Sequence, residues 1–234
     1  MLRHHEIFDR SRAVRRPPYR WLARELWARA FSYPSPPDPA EFPPGNGHIV
    51  LVVPAFLTTD LVTRHLRRFL TRCGYRVFGW GLGVNWGPTP RILAGLRRQV
   101  HELAALERGP ISLIGVSLGG VLARDVAHAS PQHIRHVVTL VSPFRLPTAS
   151  TIEPLVHLFA PFYSRDFPFA RVGSPLPMSS TAVFSRQDGV VAWESCMSEE
   201  PRGLSVEVRG PHMSICRNPQ ALRIAAQRLA AYSG

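Results

Sequence analysis

From residue 48 onward, short apolar runs alternate with amphipathic stretches, and few folds accept that alternation. His48–Val53, Tyr75–Phe78, Ile111–Val116, Ile134–Val141, Thr181–Ser185 and Leu204–Val208 read as strands. Between them, Asp60–Cys73, Pro90–Glu107, Leu118–His128 and Gln220–Tyr232 read as helices. In the second of these, Ile92, Leu93, Leu96, Val100, Leu103 and Leu106 recur at helical spacing. Gly74 follows the first helix as a fitting C-terminal cap. Strands that are apolar on both faces must be covered on both faces, and strict β/α alternation gives parallel pairing. The expectation is an α/β fold: a mostly parallel sheet of about six strands with helices on both faces. An irregular stretch rich in Phe and Pro, residues 143–179, interrupts the pattern between the fourth and fifth strands.

The 234 residues suit one such domain, residues 48–234, preceded by an arm and a Pro-rich linker over residues 1–47. The longest clean apolar run, near Ile49–Val53, is too short to cross a bilayer. The net charge of +12 would suit a nucleic-acid or anionic-membrane partner. All 28 basic residues are arginine, however, which reads as coding bias, and no nucleic-acid motif occurs. The charge is densest in residues 1–30, where eight arginines face Glu6, Asp9 and Glu25. Within this arm, Leu22, Leu26 and Arg29 fall on one side of a helix, with Trp27 and Phe31 nearby. Two readings stay open for residues 12–31: peripheral contact with an anionic membrane, or packing on the domain behind. No apolar segment of signal-peptide length follows the early arginines, so a cytoplasmic location is expected. Cys73, Cys196 and Cys216 are too few for a disulfide framework. Free buried thiols and a Cys196–Cys216 bridge both remain open. No Cys/His spacing suggests a metal site, and no cofactor is expected.

The sharpest motif is Gly115-Val116-Ser117-Leu118-Gly119, followed by Gly120, at the junction of the third strand and the next helix. A serine on such a strand–turn–helix stands clear of the sheet in a strained conformation. Glycines on either side remove side chains that would collide with the turn. The helix N-terminus behind it favours a developing negative charge. An elbow serine needs a base, and the base needs an acid. His212 lies in Arg209-Gly210-Pro211-His212-Met213, just after the sixth strand, at the sheet edge where ligands collect. Asp188 follows the fifth strand in Ser185-Arg186-Gln187-Asp188-Gly189, with Asp166 as the runner-up. The oxyanion donors are expected to be the backbone N–H groups of Leu118 and of Phe56, with Leu57 next.

Together these residues resemble the α/β-hydrolase superfamily, and within it the compact bacterial lipase/esterase-like group. The resemblance covers about residues 48–232. It extends to Gly83-Val84-Asn85-Trp86-Gly87-Pro88-Thr89, Thr139-Leu140-Val141-Ser142-Pro143-Phe144, the stretch from Phe184 to Trp193, and the His212 loop leading to Asn218-Pro219. It implies hydrolysis of carboxylic esters through an acyl-enzyme, with Ser117 as nucleophile, Asp188 as orienting acid and His212 as base. Such lipases usually carry His-Gly at the end of the first strand, where this chain has Pro54-Ala55. Residues 143–179 would form a cap or lid. Leu57, Phe144, Phe159, Phe162 and Met213 are the expected substrate-binding residues, and a small-molecule or lipid ester of an apolar acid is the expected substrate. An acyltransferase or thioesterase could use the same triad. A binding protein with an inert hydrolase fold is the non-enzymatic alternative.

Overall fold

Six strands pair in the order β2-β1-β3-β4-β5-β6, and every pair is parallel. They are β1 (Ile49–Val53), β2 (Arg76–Gly79), β3 (Ile111–Val116), β4 (Ile134–Leu140), β5 (Ser179–Phe184) and β6 (Gly203–Glu207). These lie within two residues of the runs read from the sequence. The computed structural model describes residues 14–28, 35–146, 149–198 and 201–232. The arm proposed for membrane contact, residues 12–31, is therefore described only over 14–28.

Seven helices accompany the strands among the described residues. They are α1 (Tyr19–Ala28), α2 (Arg64–Arg72), α3 (Pro90–Glu107), α4 (Leu118–Ala129), α5 (Glu153–Phe159), α6 (Phe169–Val172) and α7 (Pro219–Ala231). Their ends follow local chemistry. Thr89 and Asn218 cap α3 and α7 with side-chain oxygens, and each is followed by a proline that needs no helical donor. Helix α2 starts later than the expected Asp60 because the Asp60 carboxylate is engaged elsewhere. Its two oxygens accept the N–H groups of Trp80 and Gly81, each at 3.0 Å, which ties the segment before α2 to the end of β2.

Successive strand residues feed two cores. Leu113 faces the layer holding Leu96, Val100 and Leu122, while Ile114 faces the layer holding Leu66, Leu70, Leu222 and Leu229. Chain order explains where a site must form. The chain passes from β1 outward to β2 and then returns across to β3, so β1 and β3 are neighbours whose connections diverge. Ligands bind in the crevice at the carboxyl ends of strands at such a switch point. Ser117 directly follows β3, and Phe56 lies just after β1.

The insertion between β4 and β5 holds α5 and α6. Its far end, on either side of Gly173, is held to α4. The buried Arg124 guanidinium donates to Val172 O at 2.7 Å and Ser174 O at 2.6 Å. Beside it, Asp125 pairs with Arg171 at 2.9 Å and Arg97 at 3.0 Å.

Candidate active site

Ser117 sits between β3 and α4 at φ 52° and ψ −124°, a left-handed conformation that costs a non-glycine residue energy. The turn is paid for by close backbone approach. A Cβ on Gly115 would lie 2.3 Å from Gly120 Cα, and one on Gly119 would lie 2.4 Å from Val53 O. A Cβ on Gly120 would lie 2.1 Å from Ser142 Oγ. All three positions therefore require glycine, and the Gly119 contact locks the elbow against the end of β1.

His212 and Asp188 meet across the ends of β5 and β6. His212 Nδ1 and Asp188 Oδ2 are 2.7 Å apart, and both side chains are buried. The other carboxylate oxygen, Oδ1, accepts the N–H groups of Val190 at 2.7 Å and Val191 at 2.8 Å. Asp188 is thus fixed from behind while it holds the imidazole. Burial draws the His212 pKa down, but the charge and hydrogen bond of Asp188 and the charge of Glu25 outweigh it, so the net shift is upward. Two other buried histidines differ. Burial holds His48 at about 4 and His136 at about 3, away from the elbow. Asp166, the runner-up acid, is exposed in the insertion.

After β1, the N–H of Leu57 is taken by Asn85 O at 2.8 Å, which removes it as an oxyanion donor. The N–H of Phe56 meets no protein acceptor among the described residues. Leu118, as the first residue of α4, has an N–H outside the helical ladder. The left-handed residue in this loop is Leu57, at φ 55°. The turn that a glycine would usually ease is displaced past Ala55, so alanine is accommodated there.

No protein-family model and no curated protein matches the chain by sequence. Solved structures do match. Aspergillus fumigatus lipase B superposes with a TM-score of 0.61 over 84% of this chain at 14% identity. This chain spans 55% of that lipase's length. A metagenome-derived lipolytic enzyme (LipS or LipT) matches at TM-score 0.59 and 16% identity, over 82% of this chain and 95% of its own. Paleococcus ferrophilus monoacylglycerol lipase matches at 0.58 and 14%, over 81% and 97%. The chain has the α/β-hydrolase fold.

Within this hydrolase fold two cavities meet at Ser117, sharing Phe56, Ser117 and Ile152 as walls. One, of about 510 Å³, is also lined by Leu22, Leu26, Val62, His212 and Met213. The other, of about 400 Å³, is also lined by Leu118, Val156, Tyr163 and Phe169 of the insertion and elbow. Among the expected substrate-binding residues, Met213 alone lines either of these two cavities. Phe144 is a core residue: it is 1% exposed and lies under the Arg124 guanidinium, 4.1 Å from its ring centroid. Phe159 stands one layer back, packed on the Phe56 ring at 5.7 Å. Phe162 is 67% exposed, and Leu57 lines neither cavity. All three cysteines are free and buried, so Cys196 and Cys216 are not bridged. Among the described residues, no three His, Cys, Asp or Glu side chains converge to hold a metal ion.

Two contributors escape a reading of the sequence. Buried Asn85 donates from Nδ2 to Pro54 O at 2.7 Å and accepts Gly87 N–H on Oδ1 at 3.0 Å. It thereby braces the loop that carries Phe56. Its stretch, Gly83 to Thr89, carries a family resemblance but gives no sign of this role. The second is Glu25. It lies in the arm, across the domain boundary set at residue 48, yet its carboxylate touches both loops that carry Asp188 and His212.

Proposed function

We propose that this protein is a serine hydrolase of carboxylic esters. The observation that carries the reading is the His212–Asp188 pair at 2.7 Å, with His212 and the elbow Ser117 lining one cavity. Ser117 Oγ attacks the ester carbonyl while His212 Nε2 takes its proton. Asp188 holds the Nδ1 proton and stabilises the imidazolium that forms. The N–H groups of Phe56 and Leu118 receive the oxyanion, and each such donor is worth about 3 kcal/mol in the transition state. His212 then protonates the leaving alcohol and later activates the water that releases the acid. The names of the similar structures, lipases and a lipolytic enzyme, point the same way. The test is reaction with a fluorophosphonate. One adduct on Ser117 is expected, and an unlabelled protein would refute the reading.

In this reading the two cavities take the two arms of the substrate. The alcohol must leave beside His212, so it belongs in the larger cavity, which His212 lines. The acyl chain then lies in the smaller one, beside Leu118 and under the insertion. Both are lined mainly by apolar side chains, which favours esters with an apolar group on each side. Val156→Trp is expected to slow long-chain acyl esters by about 10-fold or more while sparing acetates. Val62→Trp should do the reverse, discriminating by alcohol. Nitrophenyl esters of rising acyl length and acetates of rising alcohol size read the two effects separately. Equal losses in both series would contradict the assignment.

A peripheral membrane location rests on the outer face of α1. Tyr19 and Trp27 are 63% and 67% exposed, on the helix that also carries Arg20 and Arg24. Basic helices with exposed aromatics lie on anionic bilayers. Sedimentation with phosphatidylserine vesicles is expected, to be lost on Trp27→Ala and in high salt. Equal binding to neutral vesicles would count against it.

A further inference from the structure

The carboxylate of Glu25 is fully buried, and no basic side chain pairs with it among the described residues. Its partners are three backbone N–H groups. Oε1 accepts from Gly189 at 2.7 Å and from His212 at 3.0 Å, and Oε2 accepts from Met213 at 2.8 Å. Gly189 is next to Asp188, and the other two donors are His212 itself and its neighbour. One side chain therefore spans the acid loop and the base loop. The fit is close on the loop side. A Cβ on Gly189 would lie 2.8 Å from Trp21 O and 2.9 Å from Glu25 Cγ. Arg24 adds a hydrogen bond to Gln187 O in the same acid loop.

From this we infer that Glu25 is a positioning residue for catalysis, and that α1 is a working part of the active site through it. The inference rests on the serine-hydrolase reading above. A buried carboxylate needs strong donors, and among the described residues those that reach it belong to the two loops. Holding both at once fixes the separation of Asp188 from His212 and the reach of His212 towards Ser117. Misplacement of a catalytic group by about 1 Å costs about 100-fold in rate.

Glu25→Gln is the test, because an amide brings a donor where three N–H groups require acceptors. With a soluble nitrophenyl ester, kcat per fluorophosphonate-titrated site is expected to fall by about 100-fold, with KM changed by less than about 3-fold. The pH profile gives a second readout. The charged and titratable groups that face His212 are Asp188 and Glu25, with His65, Arg217 and the Cys216 thiol also lining its cavity. His212 acts as base only when neutral, and the Glu25 charge raises its pKa. Removing that charge must move the acid limb of kcat/KM to lower pH, an effect that loss of folded protein alone would not produce. Gly189→Ala keeps every functional side chain and is expected to lower kcat in the same way, by pushing α1 off the loop. A wild-type kcat per titrated site and an unmoved acid limb in Glu25→Gln would overturn the proposal. Absence of fluorophosphonate labelling in the wild type would instead overturn the hydrolase reading on which it rests.

Discussion

Ser117→Ala is expected to lower ester turnover by about 10⁶-fold and to abolish the fluorophosphonate adduct. The substitution removes one oxygen and leaves the backbone demand unchanged, since alanine meets the same cost as serine at φ 52°. The melting temperature should therefore stay close to that of the wild type, and activity should fall without loss of fold. Intact-mass spectrometry after labelling, with a thermal melt alongside, checks both halves. A rival nucleophile is available for comparison, because Cys216 lines the same cavity. Burial pushes its thiol up to about 12, so it stays protonated at neutral pH and is a poor nucleophile. Labelling that survives in Ser117→Ala would show that the chemistry belongs to another side chain.

The second large effect is expected at Asp188. Asn replaces a carboxylate that accepts on both oxygens by an amide that accepts on one. Two N–H groups, from Val190 and Val191, point at Oδ1, so the amide oxygen will turn towards them. The amide NH₂ then faces His212 Nδ1, at the position now occupied by an acceptor 2.7 Å away. The imidazole must accept there and carry its proton on Nε2, the wrong tautomer for a base. A loss of about 10⁴-fold in kcat follows, although the fold and the loop positions persist. Turnover of a short-chain nitrophenyl ester measures it. A loss below about 10-fold would mean that Asp188 does not orient the base.

The sheet was readable because its central strands β1 and β3 are buried along their whole length and are almost entirely apolar between polar turns. The elbow was readable for a related reason. Gly115, Gly119 and Gly120 each stand where another backbone or Ser142 approaches too closely for a side chain, so packing is written directly as residue type. Asp188 and His212 each follow a strand at the same sheet edge, and that edge is where the geometry brings them together. Phe144 and Phe162 were not separable in this way. Both are aromatic residues of one insertion, yet one lies under Arg124 in the core and the other faces solvent. Hydrophobicity alone carries no record of which side of a layer a ring occupies. Glu25 was hidden for a different reason. Beside Leu22 and Leu26, it reads as a charge interrupting an apolar stripe, while its partners lie 164 to 188 residues away. An acid on the inward face of an otherwise basic helix is the one local trace of its role.

That separation also orders events during synthesis. At about 5–20 residues per second, Glu25 leaves the ribosome roughly 10–40 s before the three N–H groups it will hold. Until then its carboxylate stays hydrated and α1 has nothing to close upon. His212 and Met213 follow all six strands in the chain, so α1 can dock only after the residues of the whole sheet have been made. The nascent chain is thus held without a competent centre while its sheet assembles, and α1, made before the sheet, takes its place after it.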